Sequence, residues 1–117
     1  MIQPAFGPTL GEVWDVDLDP VQGHEQAGRR PALIVSVDRF NESPAGLVVV
    51  LPITRTDRQV RWHVRVQPPE GGLTAVSFVM CEAVRSISTV RLLKKRGRVA
   101  AATQVAIEDR LRILLGL

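Results

Sequence analysis

The sequence predicts a mainly β-sheet protein that ends in one amphipathic helix, folded as a small curled barrel or sandwich. Short apolar runs rich in β-branched residues alternate with turn segments such as NESPAG at 41–46 and QPPEGG at 67–72. No stretch has the spacing of a strand–helix–strand unit, and the periodicity becomes helical only after Thr103. A length of 117 residues allows one core, so residues 1–117 are predicted to form a single domain.

Six strands are predicted from the apolar runs, each bounded by glycine, proline or polar residues. They span 13–18, 32–37, 47–53, 62–66, 73–81 and 83–87. The third is apolar at almost every position, which is typical of a strand buried on both faces. Pro52 lies in it, and because proline has no N–H to donate, we expect a sheet edge or a bulge there.

The C-terminal segment has the pattern of an amphipathic helix. Thr103 is a suitable N-cap, and Ile107, Leu111 and Leu114 then recur at helical spacing. We expect this apolar stripe to cover the sheet and not to bind a partner. The preceding run at 94–98, KKRGR, is interpreted as solvated surface, with contact to a phosphate backbone as the alternative.

Charge is distributed unevenly along the chain. Residues 1–28 contain five carboxylates and no lysine or arginine, so all 15 basic residues follow from Arg29 onward, in a chain of net charge +3. This pattern suggests a positive surface separate from an acidic one, which is compatible with a polyanionic partner. Solubility alone is the alternative explanation.

Several classes of function are disfavoured by the sequence. The single cysteine, Cys81, lies in an apolar run and is interpreted as a small buried hydrophobe. His24 and His63 have no metal-ligand spacing, so neither a metal nor a cofactor is expected. The chain contains no Walker, Rossmann or hydrolase-elbow motif. It also lacks an apolar span of about 20 residues and a signal peptide, so no membrane contact is expected and the predicted location is the cytoplasm.

The most informative stretch is residues 23–35, GHEQAGRRPALIV. Gly23 and Gly28 allow a sharply shaped loop, and Pro31 fixes φ where the chain becomes extended. Arg30 is therefore expected at a defined position on a strand edge. The alternative is an ordinary surface turn whose arginines are solvated.

This stretch resembles the signature loop of the MazF/PemK toxins of bacterial toxin–antitoxin pairs. The similarity begins with GEVWDVDLDP at 11–20 and continues through GHEQAGRRPA at 23–32, LPIT at 51–54 and LLGL at 114–117. It extends, with departures, into CEAVRS at 81–86, where Ala83 replaces a glutamine of the family pattern. The resemblance covers nearly all of the chain from Gly11 onward.

The resemblance implies a small PemK-like barrel with an SH3-like core, the fold shared by MazF and CcdB toxins. It also implies the toxin of a toxin–antitoxin pair, acting as an endoribonuclease that cuts single-stranded RNA at a short sequence without metal. The implied products are a 2′,3′-cyclic phosphate or 3′-phosphate and a 5′-hydroxyl. Implied partners are a second copy of the chain, a MazE-like antitoxin with an acidic tail, and operator DNA bound through that antitoxin.

Matching the motifs residue by residue gives the expected site. RNA cleavage needs no protein nucleophile because the ribose 2′-hydroxyl attacks the adjacent phosphate. Arg30 offers a planar cationic fork to the phosphate oxygens, and Thr54 adds a neutral hydroxyl donor. Glu25 is expected to support them, as a proton acceptor or by holding Arg30, and the identity of the general base stays open. The expected RNA-binding residues are His24, Gln26, Arg29, Arg55, Arg85 and Ser86.

Two alternatives to the nuclease remain at this point. A CcdB-like toxin without nuclease activity would poison gyrase through a C-terminal helix ending in Trp-Gly-Ile, whereas this chain ends in Leu-Gly-Leu. A barrel that binds RNA without cutting it is the other. Metal-free cleavage, inhibited supercoiling and binding without cleavage would distinguish the three.

Overall fold

A computed structural model describes residues 7–18 and 28–117 of the protein. Nine regular elements follow one another along these residues, and three short 3₁₀ turns, Glu70–Gly72, Cys81–Ala83 and Thr89–Arg91, connect them. The elements are β1 (Glu12–Asp17), β2 (Arg29–Ile34), α1 (Asp38–Asn41), β3 (Leu47–Thr54), β4 (His63–Val66), β5 (Ser77–Met80), β6 (Arg85–Ser88), β7 (Leu92–Arg98) and α2 (Ala101–Leu115). The prediction of a mainly β protein with a C-terminal helix is confirmed.

The strands form one antiparallel sheet in the order β4-β5-β3-β2-β1-β7, with β6 pairing separately with the first half of β3. The ladder between β3 and β6 ends at Val50, and the ladder between β3 and β5 begins at Ile53. Pro52 falls between these two ladders, so its missing N–H breaks no hydrogen bond on that side. The strand is central, and the option of a sheet edge at Pro52 was wrong.

Alternation along β1, β2 and β3 sends apolar side chains to both faces of the sheet and builds two clusters. The first cluster includes Val13, Leu33, Leu51 and Ile53 and is covered by Ile107 of α2. The second contains Val16, Leu18, Ala32, Ile34, Val48, Val50 and Ile87. Each fully buried leucine or isoleucine contributes about 1.5–3 kcal/mol relative to an exposed one. The central strands are therefore held from both sides, which fixes their register.

The helix α2 covers the sheet as expected, but it begins earlier than predicted. Its N-cap is Ala100, whose side chain has no capping oxygen, and Thr103 lies inside the first turn. The Glu70 carboxylate provides the cap instead, with Oε2 accepting from the Ala100 N–H at 2.8 Å and from the Thr103 hydroxyl at 2.5 Å. Thr103 as N-cap was therefore wrong, because a residue distant in sequence supplies the acceptor. Gly116, with φ of 72°, ends the helix.

The basic run at 94–98 is part of β7, a strand that was not predicted from the sequence, and its two lysines and Arg98 are exposed, in agreement with the interpretation as solvated surface. Its side chains meet the carboxylates of β1: Lys95 Nζ lies 3.0 Å from Glu12 Oε2, and Arg96 Nη1 lies 3.0 Å from Asp15 Oδ1. Arg98 Nη2 lies 3.6 Å from the same Glu12 oxygen. The acidic and basic parts of the sequence thus meet in one ladder, and the expected separation of acidic and basic surfaces does not hold here.

Within the two described segments, no helix is both long and apolar enough to cross a membrane.

Candidate active site

Arg30 and Thr54 lie on adjacent strands at the end of the sheet where β2 begins and β3 ends. Ala32 pairs with Pro52, Leu33 with Leu51 and Ile34 with Val50. Arg30 and Thr54 each lie two residues beyond the last pair of this ladder, at the same end of the sheet. Because side chains alternate along a strand, both residues share the face of Ala32 and Pro52. The fold therefore brings these two predicted catalytic residues to one face at one end of the sheet.

Thr54 is held in place with its donor available. Only 8% of the residue is exposed, and Oγ1 accepts the backbone N–H of Thr56 at 3.2 Å. A hydroxyl that accepts one hydrogen bond still carries its own hydrogen to donate. Phe78 pairs with Thr54 on the other side, in β5, and is itself buried, so it limits the room in which the threonine side chain moves.

Arg30 is half-buried and shares its surroundings with a second cation. Burial is the main cause that lowers the pKa of Arg30, and the positive charge of Arg58 lowers it further. Arg30 still keeps its charge at neutral pH because the ordinary pKa of an arginine lies far above 7. Arg58 was not predicted from the sequence. Its only signal is membership of the polar run 55–61, RTDRQVR, where three arginines carry charge of the same sign and nothing distinguishes one of them from another.

The other predicted arginines lie around this pair in different ways. Arg85 pairs with Val50, so it shares the sheet face of Val50, Pro52 and Thr54. Arg29 is exposed and pairs with Asp17 at the end of β1. Arg55 is exposed, and its Nη2 donates to Thr74 Oγ1 at 3.4 Å, beside the segment that leads into β5.

The remaining predicted residues include one on the opposite face and three that cannot be placed. Ser86 pairs with Val49 and is exposed on the face opposite Arg85. His24, Glu25 and Gln26 lie outside the described residues.

A histidine–glutamate pair supports the segment that carries Arg85. His63 Nε2 lies 2.8 Å from Glu82 Oε2, and the His63 side chain is 3% exposed. This contact joins β4 to the 3₁₀ turn before β6. Neighbouring Cys81 is buried and free, as predicted, and burial together with the Glu82 charge raises the pKa of its thiol to about 11. A thiol in this state is protonated at neutral pH and is a poor nucleophile.

The donor groups near the site are cations, hydroxyls and main-chain amides. Across residues 7–18 and 28–117, no three side chains of His, Cys, Asp or Glu gather closely enough to hold a metal ion. What the described residues can do together is bind an anion and stabilise negative charge that develops on it.

Comparison with known proteins identifies a family and a shared fold. Residues 9–115 match the sequence profile of the family described as "PemK-like, MazF-like toxin of type II toxin-antitoxin system". The chain is 38% identical to "Endoribonuclease MazF9" of Mycobacterium tuberculosis (strain ATCC 25618 / H37Rv), over 92% of this chain and 95% of that protein.

Two solved structures share the fold. The crystal structure of MazF (Form-I) from Deinococcus radiodurans aligns with a TM-score of 0.85 at 27% identity, covering 96% of this chain and 99% of that one. An endoribonuclease in complex with its cognate antitoxin, from Mycobacterial species, aligns with a TM-score of 0.78 at 29% identity, covering 94% and 96%.

Proposed function

Since the chain belongs to the PemK-like, MazF-like toxins of type II toxin–antitoxin systems, we propose that it cuts single-stranded RNA at a short sequence without a metal ion. The observation that supports this proposal is that Arg30 and Thr54 lie on adjacent strands, each two residues beyond the paired Ala32 and Pro52. A cation and a hydroxyl donor on one face can hold two oxygens of the same phosphate. This is the electrostatic part of phosphodiester cleavage.

The reaction begins when the ribose 2′-oxygen attacks the adjacent phosphorus. A bond forms between the 2′-oxygen and phosphorus, and the bond from phosphorus to the 5′-oxygen breaks. The 2′-hydroxyl loses its proton to a base, and the leaving 5′-oxygen gains one. The products are a 2′,3′-cyclic phosphate, or a 3′-phosphate after hydrolysis, and a 5′-hydroxyl. Arg30 and Thr54 stabilise the extra negative charge on the phosphorus oxygens as it forms.

Cleavage needs a group that accepts the proton of the 2′-hydroxyl and a group that donates a proton to the leaving 5′-oxygen. Arg30 stays charged at neutral pH and cannot accept the proton from the 2′-hydroxyl. Burial and Arg58 both lower its pKa, which makes Arg30 a somewhat better proton donor to the leaving 5′-oxygen than an exposed arginine. Glu25 is the proposed base or supporting residue, with His24 and Gln26 as RNA contacts from the same loop. Arg29, Arg55, Arg85 and Ser86 complete the proposed RNA-binding set.

The nuclease proposal is tested by incubating purified protein with labelled single-stranded RNA in the presence of EDTA. We expect cleavage by the wild type, and at least a 100-fold loss in Arg30→Ala and about a tenfold to 100-fold loss in Thr54→Ala. Arg39→Ala, an exposed arginine of α1, is the matched control and should stay within about twofold of the wild type. Intact RNA with inhibited DNA supercoiling would instead identify a gyrase poison. Binding without cleavage would identify an RNA-binding protein.

Partners follow from the same family membership. We propose a cytoplasmic homodimer whose activity is blocked by a MazE-like antitoxin, with the complex bound to operator DNA through the antitoxin. One similar structure is titled as an endoribonuclease with its cognate antitoxin, which supports such a complex. An acidic flexible tail would compete with RNA for Arg30 and its neighbours. Sedimentation of the toxin alone tests the dimer, and co-expression with the neighbouring gene tests the complex.

A further inference from the structure

A basic groove runs along the edge of the sheet, over β7, β1 and the start of β2. Two adjoining depressions of about 380 and 260 Å³ form it, and both are lined by Asp15 and Arg96. We propose that this edge groove binds phosphates of the RNA that flanks the cleavage site. The proposal rests on the proposed function and adds a second contact region to it. The walls of the groove also include Arg29, Arg30, Leu93, Lys94 and Gly72.

The groove is built by two irregularities in β7. Opposite β1, the register passes from Gly97 to Lys95 and from Lys94 to Leu92, which leaves Arg96 and Leu93 as extra residues. Such β-bulges redirect side chains and are common at sheet edges and beside functional sites. Here two consecutive residues of β7, Leu93 and Lys94, both line the groove together with Asp15. A regular strand would send every second one away.

Arg96 is fixed at the centre of the groove. Its Nη1 donates to Asp15 Oδ1 at 3.0 Å, while Nε and Nη2 donate to the Gly72 carbonyl at 3.3 and 3.2 Å. A guanidinium has five N–H donors, so, counting only partners among the described residues, two remain for another acceptor. Gly72 is required for this contact, since a Cβ there would lie 2.1 Å from the Arg96 carbonyl oxygen.

The charge of the groove is positive although a carboxylate lies in it. Asp15 is neutralised by Arg96, whereas Lys94 and Arg29 are exposed on either side of them. Leu93 is 45% exposed and gives an apolar surface between the cations. A fixed guanidinium flanked by exposed cations suits a chain of phosphates, and each neutralised phosphate releases counterions.

Continuity with Arg30 identifies RNA as the occupant in preference to an acidic protein chain. Arg30 is part of the wall of the larger depression, and in the proposed function it holds the phosphate that is cut. The groove thus adjoins the residue that is proposed to hold the scissile phosphate. The groove therefore predicts that RNA beyond the recognised sequence contributes to binding, but not to the chemical step.

The test compares a short and a long RNA after the cleavage site has been mapped by sequencing the 5′ ends of cut transcripts. The short RNA holds the recognised sequence alone, and the long one adds about ten nucleotides on each side. In EDTA, we expect Lys94→Glu to raise KM for the long RNA by about three- to tenfold, with kcat unchanged and the short RNA affected less than about twofold. For the long RNA, the slope of log(1/KM) against log[salt] should become shallower by about 0.7 for each phosphate contact that is lost.

Two further variants make the result specific. Lys94→Arg should keep the wild-type KM, and Arg112→Glu, a charge reversal on an exposed arginine of α2, should change neither RNA. Equal effects of Lys94→Glu on both RNAs, or none on the long one, would overturn the proposal. Weakened binding of a polyglutamate peptide by that variant, with RNA unaffected, would assign the groove to an acidic protein instead. If the wild type binds RNA without cutting it, the nuclease proposal fails. The groove is then still tested by fluorescence polarisation, which compares the affinities of the wild type and Lys94→Glu for the short and the long RNA.

Discussion

Arg30 and Arg58 are two like charges in one small region of the protein. The charge of Arg58 contributes to lowering the pKa of Arg30, so the two guanidinium groups repel each other. A bound phosphate attracts both cations and so offsets this repulsion. The pair is therefore suited to bind the charged substrate better than a neutral one.

We expect Arg58→Ala to lower kcat/KM for RNA cleavage by about tenfold, the effect of losing one charge-assisted contact to phosphate. Arg58→Lys should recover most of that loss because a cation is retained. The measurement is cleavage of a labelled RNA in EDTA, with Arg39→Ala as the control. Activity of Arg58→Ala equal to that of the wild type would show that this side chain does not reach the substrate.

For single residues, the sequence predicts the site residues that belong to a motif but not those in a loop without one. Arg30 and Thr54 could be proposed as site residues because they stand in GHEQAGRRPA and LPIT, the two stretches that resemble motifs of the MazF/PemK toxins. Arg58 could not, since a polar loop of mixed charge contains no periodicity that indicates which exposed arginine lies near Arg30. Its position depends on where β3 ends and on the fold of the loop after it.

The helix α2 shows how one element depends on a residue far away in sequence. Its first turn has no capping side chain of its own, and the Glu70 carboxylate accepts from Ala100 and Thr103. A negative group at this end also interacts favourably with the helix dipole. The helix that covers the first apolar cluster is thus connected to the 3₁₀ turn Glu70–Gly72, which also contacts Arg96.

We expect Glu70→Ala to lower the free energy of unfolding by about 1–2 kcal/mol, the usual cost of losing a helix cap. Glu70→Gln should cost less because the amide oxygen still accepts, although the charge is lost. Urea unfolding followed by circular dichroism measures both, and Glu42→Ala, an exposed glutamate after α1, is the control. A loss for Glu70→Ala no greater than for the control would mean that the cap contributes little to stability.

Elements with a clear apolar period were predicted, and those that depend on distant partners were not. The strand β3 is apolar at nearly every position, so its location was evident. In contrast, β7 contains Lys94, Lys95 and Arg96 in succession, and two bulges break its alternation. The carboxylates of β1 offset the positive charge of this strand, and the sequence does not reveal that the two segments are neighbours.

At the scale of the molecule, Glu12 connects the segment before β1 with strand β7. It is 4% exposed, and its carboxylate accepts from the Thr9 N–H at 2.8 Å and the Trp14 indole N–H at 3.1 Å, beside Lys95 and Arg98. Burial by itself would raise the pKa of Glu12, but the hydrogen bonds from Thr9, Lys95 and Trp14 outweigh it and lower the pKa. The charged form is thus favoured in the folded protein.

This shift makes the stability of the whole fold sensitive to acid. A carboxyl whose pKa is lower in the folded state stabilises the fold above its ordinary value of 4.5, and that contribution disappears as the pH falls below it. Glu12→Gln removes the charge permanently, and we expect a loss of about 1–3 kcal/mol in the free energy of unfolding at neutral pH. The variant and the wild type should then approach each other in stability under acidic conditions.

Urea unfolding at neutral pH and at a pH below 4.5 measures both proteins. Glu42→Gln, which changes an exposed glutamate without such partners in the described structure, should follow the wild type at both pH values. A difference between Glu12→Gln and the wild type that stays constant with pH would contradict the assignment, because only a titrating Glu12 carboxyl makes the difference shrink in acid. β1 and β7 would then be held together mainly by their backbone ladder and not by these ion pairs.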